Sequence, residues 1–502
     1  MAATSVEETR LVLVIGEVLH RHPAGGLAAG VAGPGGLEFF RGSGVADAAT
    51  GTPITEDTVF RIGSISKTFT AIAVMQLQDR GLLDLDDPVS RHLRSFRLTP
   101  ARASFGPVTI RQLLTHTGGI GELRGVGDLF RPTIGLTVPA GRPPPPLADY
   151  YHGRLRIEIE PGTKWAYANH GFAALGQLVE DVSGEPFGSY MRAHVFGPLG
   201  MRNTDFVRTG PIADHLATGY TLRRHGLKPV RDRDVVVQAA GSVFATTADM
   251  ARYAAALLGG PGLPLEPATL REMFRPQYRP DPRIPGLGLS FWLGDVGGHR
   301  TVGHGGGWPG FISAMVVAPD DGVAVLAFSN TGTITPERVS DALLREILGV
   351  RADEPRLDVP ERPDVWGGLC GWYGPSPGPL TNARARMLIG GGAEVLVRHN
   401  HLVLRAFTPV PRLRRGYRLH ADDPADPYRF RLDLTGEGLG TWPVAFSRGG
   451  DGRVTLHMGP MPMSLAQRPG YRAPGRLAAA TVGATGVAGA AAALRARRRH
   501  PR

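Results

Sequence analysis

Val59-Phe60-Arg61-Ile62-Gly63-Ser64-Ile65-Ser66-Lys67-Thr68-Phe69 is the stretch from which the rest of this chain is read. Ser64 stands where a helix is expected to begin and Lys67 follows three residues later, which places both on one helix face, one turn apart. A serine hydroxyl is a weak nucleophile until a base takes its proton, and a lysine amine can be that base. Ile65, Phe69, Ile72 and Leu77 are spaced for a helix packed inside a domain, where a lysine is costly unless it is used. Gly81 is placed to end that helix. The helix start also turns free N–H groups and positive dipole toward an oxyanion forming at Ser64. An SxxK pattern alone equally describes an N-capping serine beside a solvated lysine. Lysine scarcity tips the balance: Lys67, Lys164 and Lys228 are the whole complement of a chain that otherwise uses arginine. Arginine cannot deprotonate, so a lysine kept at 67 points to proton transfer.

The chain has 502 residues, 42% hydrophobic and 20% charged, the composition of a globular protein of two or three domains. Its 69 glycines lie between periodic apolar segments and therefore mark turns. A single cysteine, Cys370, excludes an internal disulfide framework and a cysteine-rich zinc site. The net charge of +11 is concentrated at the end, where Arg472, Arg476, Arg495, Arg497, Arg498, Arg499 and Arg502 occur without an acid. The remainder is close to balanced, so no specific nucleic-acid partner is expected. The first residues carry no basic segment ahead of an apolar run, hence no signal peptide, and a cytoplasmic location is expected. The alternative is membrane association through residues 477–494, an uncharged run too rich in alanine and glycine to be favoured as an anchor.

Apolar periodicity predicts helices at Glu7–His20, from Ser64 onward, after Thr109, after Asn169, at Ala248–Leu258 and at Glu337–Leu348. Strands are expected at Leu27–Val31, Leu37–Phe40, Phe291–Leu293, Phe311–Ala318 and Val323–Ser329, with residues 120–160 read as a long loop. Strands at both ends with helices between predict an α+β fold, an α/β sandwich whose antiparallel sheet is built from both termini around a helical subdomain. This catalytic domain is assigned to residues 1–352, followed by a linker at 353–361. Alternating segments from Arg384–Ile389 to Val454–Met458 then predict a small antiparallel β-barrel or sandwich over 362–469. Residues 470–502 form an Ala/Gly-rich, Arg-rich tail.

Two further stretches carry chemistry. Tyr167-Ala168-Asn169 precedes a helix and puts a phenol and an amide on the same side, one to relay a proton, the other to orient a lysine or a carbonyl. A buried tyrosine beside a capping asparagine fits the same residues. Val302-Gly303-His304-Gly305-Gly306-Gly307-Trp308 reads as a glycine-rich loop before a strand, open to close approach by a ligand. No second histidine or carboxylate stands at ligand spacing from His304, so no metal or cofactor is expected.

In order, Ser64–Lys67 (SxxK), Tyr167–Asn169 (YxN) and His304–Gly306 (HxG) resemble the serine β-lactamase and penicillin-binding-protein-like superfamily, most closely its class C-like branch with esterases and D-aminopeptidases. Leu113-Leu114-Thr115-His116-Thr117-Gly118-Gly119, Pro198-Leu199-Gly200-Met201 and Gly241–Met250 resemble the same branch, so the likeness covers roughly residues 5–350. The resemblance implies Ser64 as acylated nucleophile, Lys67 as its base and Tyr167 as partner in proton transfer. It implies that Asn169, His304 and Gly306 position substrate, and that the N–H groups of Ser64 and Gly307 form an oxyanion hole. His304 departs from the lysine usual in true β-lactamases. A neutral imidazole holds a carboxylate less well than a permanent cation, which favours small esters, amides or peptides over β-lactams. Acyl transfer through the same serine, and a non-catalytic binding or assembly module, are the alternatives. Oligomeric state is left open.

Overall fold

The computed structural model describes residues 2–469 apart from 353, 376, 377, 379, 390, 391, 407, 409, 438, 439 and 460. The chain divides into two compact units. The first is Met1–Asp353 with two short later pieces, Gly378–Asn382 and Pro460–Pro462.

The first unit is built on a seven-stranded antiparallel sheet. Its strands are β1 (Gly26–Gly33), β2 (Gly36–Asp47), β3 (Thr52–Pro53), β4 (Trp292–Val296), β5 (His299–Trp308), β6 (Phe311–Ala318) and β7 (Val323–Ser329). The spatial order β4-β5-β6-β7-β1-β2-β3 joins the two halves where β1 meets β7, with Leu27 opposite Ser329 and Val31 opposite Val325. The expected sheet from both ends of the region is therefore present. Every residue of β1 is buried because both faces are covered. Leu27, Ala29 and Val31 pack with helices α1 (Ala2–Arg21) and α5 (Thr335–Leu348). Ala28 and Ala32 face the larger core on the other side, which holds α2 (Ser66–Asp79), α3 (Asn169–Ser183) and α4 (Thr247–Leu257). Small side chains at these positions let the helices approach the central strand closely.

Helix α2 is buried from Ser66 to Leu77, so it has almost no polar face. A helix surrounded on all sides must satisfy its polar groups internally. The Thr70 hydroxyl donates to the Ala239 carbonyl at 2.7 Å, and the Gln76 amide donates to His194 O at 2.8 Å.

Three local expectations change. Residues 302–308 are not a loop: they belong to β5, hydrogen-bonded to β6 from Val302↔Val317 to Trp308↔Phe311. Glycine has weak strand preference, and cross-strand pairing overrides it here. Residues 120–160 hold short elements, including strands Thr137–Pro139 and Arg154–Ile157, the latter parallel to Arg97–Pro100. The segment read as a strand at Arg384–Ile389 is a helix, Ala383–Leu388, matching the helix preference of its alanine, arginine, methionine and leucine.

The second unit contains a closed antiparallel barrel of β8 (Gly371–Pro375), β9 (Ala393–Arg398), β10 (His401–Ala406), β11 (Tyr417–Ala421), β12 (Arg429–Asp433), β13 (Thr441–Arg448), β14 (Val454–Met458) and β15 (Met463–Arg468). Alternating burial fills its interior with Tyr373, Val395, Leu402, Leu419, Phe430, Phe446, Leu456 and Leu465. Closure of β8 onto β15 leaves the sheet without an exposed edge. Among the described residues no helix is long and apolar enough to cross a membrane; the run at 477–494 and the tail lie outside them.

Candidate active site

The SxxK segment lies where α2 meets the sheet. Ser64 sits in a single 3₁₀ turn, Gly63–Ile65, immediately ahead of α2. Gly63 has φ +52°, and a Cβ there would lie 2.8 Å from Gly307 N. Glycine is required on the other side too: a Cβ at Gly306 would lie 1.9 Å from Ile62 O. These two glycines let β5 run against the serine turn and bring the Gly307 N–H beside it. The turn is held by the Ser66 hydroxyl, which donates to Gly63 O (2.6 Å) and accepts from Val243 N (3.0 Å). Behind it Arg61, only 2% exposed, bonds Asp232 (3.0 Å) and Arg233 O (2.8 Å) beneath the Phe244 ring.

Lys67 is fully buried. Its Nζ lies 3.2 Å from Ser64 Oγ, 2.8 Å from Asn169 Oδ1 and 2.6 Å from Ala240 O. In its neutral form two N–H groups can go to Asn169 and Ala240, which leaves the lone pair for the serine proton. The Tyr167 hydroxyl donates to Ser64 Oγ at 2.8 Å, and its ring centroid lies 4.9 Å from Lys67 Nζ. Asn169, 8% exposed, is the first residue of α3 and so enters the site from a fixed helix end. The structure thus brings together Ser64, Lys67, Tyr167 and Asn169, with Gly306 and Gly307 on the adjoining strand.

His304 lies on the same strand, 5% exposed, with its ring 5.8 Å from that of Trp292. Its Nδ1–H donates to Gly305 O at 2.6 Å. Burial, reinforced by the charge of Lys67, pushes its pKa down to about 3, so the imidazole is neutral at physiological pH. A cleft of about 650 Å³ opens from Ser64 and Tyr167 along this strand. Trp292, Leu293, Ile312, Val316 and Leu344 give it apolar walls; Asp295, Glu337 and Asp341 also line it, and among the described residues no lysine or arginine does. Nor do three His, Cys, Asp or Glu side chains converge on a common point among the described residues.

Three participants were invisible in the sequence. Ala240 supplies only its carbonyl. His116, in the Leu113–Gly119 phrase, accepts from Ala166 N through its carbonyl (2.8 Å) and from Ala168 N through Nδ1 (3.2 Å). Its ring packs 4.4 Å from Tyr167, and burial, then the charge of Lys67, hold its pKa well below the usual imidazole range. Asn382, grouped with the first unit, accepts from Tyr167 N at 2.9 Å.

Residues 13–349 match the Beta-lactamase family. The chain belongs to that family. Among curated relatives it is 36% identical over 234 residues to Esterase EstB of Burkholderia gladioli, covering 45% of this chain and 57% of that enzyme. It is 30% identical over 350 residues to Penicillin-binding protein 4 of Amycolatopsis lactamdurans, covering 66% of this chain and 88% of that protein. Among solved structures, SurE superposes with a TM-score of 0.63 at 23% identity, covering 92% of this chain and 99% of SurE, which speaks to the fold alone. The D-amino acid amidase of Ochrobactrum anthropi SV3 gives 0.56 at 25% identity over 68% of this chain and all of the amidase. The β-lactamase and penicillin-binding-protein-like superfamily expected from the motifs is the family of this chain.

Proposed function

We propose that this protein is a serine acyl hydrolase working through an acyl-enzyme at Ser64, with uncharged small esters as its preferred substrates. The observation that carries the reading is the placement of Ser64 Oγ within reach of both Lys67 Nζ (3.2 Å) and the Tyr167 hydroxyl (2.8 Å). Neutral Lys67 takes the serine proton as Oγ attacks the substrate carbonyl. The N–H groups of Ser64 and Gly307 receive the oxyanion, a placement in which each donor is worth roughly 3–4 kcal/mol. As the carbonyl re-forms, Tyr167 gives its hydroxyl proton to the departing alkoxide and takes up the proton held by Lys67, which is neutral again. Water then attacks the ester of Ser64 by the reverse sequence, Asn169 holding Lys67 throughout.

The preference for uncharged substrates rests on the cleft. Neutral His304 offers no cation to a carboxylate, and among the described residues no lysine or arginine lines the cleft. The kinship with an esterase supports the ester class. A panel of short-chain p-nitrophenyl esters, D-amino-acid amides and a chromogenic cephalosporin, with Ser64→Ala as control, tests this reading. Esters should be turned over best, the carboxylate-bearing cephalosporin worst, and His304→Lys should raise the cephalosporin-to-ester ratio. Ester hydrolysis that survives Ser64→Ala, or a cephalosporin outpacing every ester, overturns it.

A further inference from the structure

Tyr167 does its work at the tip of a short extended run, Ala166-Tyr167-Ala168, that leads into α3. Ala168 has φ −139° and ψ 110°, so this run lies outside the helix and cannot satisfy its own N–H groups. Its amides find partners elsewhere: Ala166 N donates to His116 O, Ala168 N to His116 Nδ1, and between them Tyr167 N to Asn382 Oδ1. The Asn382 amide also faces the Trp165 carbonyl at 3.4 Å. The site is thus clamped from two directions, one of them 215 residues away in sequence.

Asn382 is itself held. Its side chain is 8% exposed and its backbone has φ +46°, a left-handed conformation that asparagine and glycine tolerate better than other residues. The piece to which it belongs, Gly378–Asn382, groups with the first unit. Glu122 N and Leu123 N donate to Leu380 O at 2.8 and 3.2 Å, and Thr381 N closes a turn onto Gly378 O at 3.0 Å. Asn382 lies well beyond the family match at 13–349.

We propose that Asn382 is a positioning residue for Tyr167: the catalytic unit is completed by a side chain supplied from beyond the family region. The kinetic part rests on the acyl-hydrolase reading above. Without Oδ1 the Tyr167 N–H loses its acceptor, the run relaxes, and the phenol leaves its 2.8 Å contact with Ser64 Oγ. A displacement near 1 Å at a reacting group costs about 10²-fold in rate.

The test uses the full chain with Asn382→Gly, which removes the side chain without straining the left-handed backbone, and Asn382→Asp, which keeps an acceptor for the Tyr167 N–H. With a p-nitrophenyl ester, Asn382→Gly should lower kcat by about 10–100-fold with KM changed by less than about 3-fold. Asn382→Asp should restore most of kcat. A readout independent of turnover accompanies them: the Tyr167 amide should exchange its hydrogen faster in Asn382→Gly than in the wild type, and not in Asn382→Asp. Unchanged amide exchange in Asn382→Gly overturns the proposal whether or not Ser64 proves to be the nucleophile. So does wild-type kcat in Asn382→Gly.

Discussion

Gly306→Ala is the sharpest single probe of how the sheet serves the serine turn. One added methyl would lie 1.9 Å from Ile62 O and 2.3 Å from Ser313 Oγ, which itself donates to Ile62 O at 2.8 Å. Ordinary contacts of this kind need more than about 3 Å, so β5 must retreat from the turn by roughly 1 Å. Two costs follow. Overpacking at a buried contact costs about 1–3 kcal/mol of stability. The retreat also carries the Gly307 N–H away from the serine, and losing one oxyanion donor typically lowers turnover by about 10²–10³-fold. The neighbouring Gly305→Ala is the matched control. Its Cβ would meet only Ser313 O, at 3.7 Å, and should change activity by less than about 3-fold. The assay is the pre-steady-state burst of p-nitrophenolate, with thermal unfolding of each variant alongside. Wild-type acylation in Gly306→Ala, or an equal loss in both variants, would refute the argument that close approach of β5 builds the site.

Lys67→Arg should lose about 10²–10⁴-fold in Ser64 labelling by a fluorophosphonate, since arginine cannot take the serine proton. Because Lys67 is fully buried, the larger guanidinium should also lower the melting temperature, and rapid labelling in a folded variant would remove lysine from the base role. Acid should destabilise the protein through its buried histidines. His304 and His170 are each pushed down to about 3, chiefly by burial, and His116 lies well below its ordinary value. Between about pH 6.5 and 3 the unfolded chain binds protons that the folded chain refuses. Stability is therefore complete above pH 6.5 and falls with pH through that window, by up to about 1.4 kcal/mol per unit per histidine. Melting temperatures measured from pH 7.5 to 5 should drop accordingly, and a flat profile would show that these imidazoles titrate normally.

What the sequence determined by itself was local. Ser64 and Lys67 share a helix face because three residues make about one turn, and Thr109 caps the short helix expected after it. Alternating and apolar runs at each end were enough to assign one sheet to both termini, and its two halves meet where β1 pairs with β7. What tertiary structure decided was everything that depends on groups with no sequence signature. The glycine run at 303–307 became a strand because β6 pairs with it. One acceptor that holds Lys67 is a backbone carbonyl, Ala240 O, 173 residues away, and every residue type carries one. His116 and Asn382 meet the Tyr167 run only after the chain has closed on itself, and their left-handed backbones are set by that closure. Spacing along the chain can place a serine beside a lysine; the acceptors that hold them in place are fixed by packing across hundreds of residues.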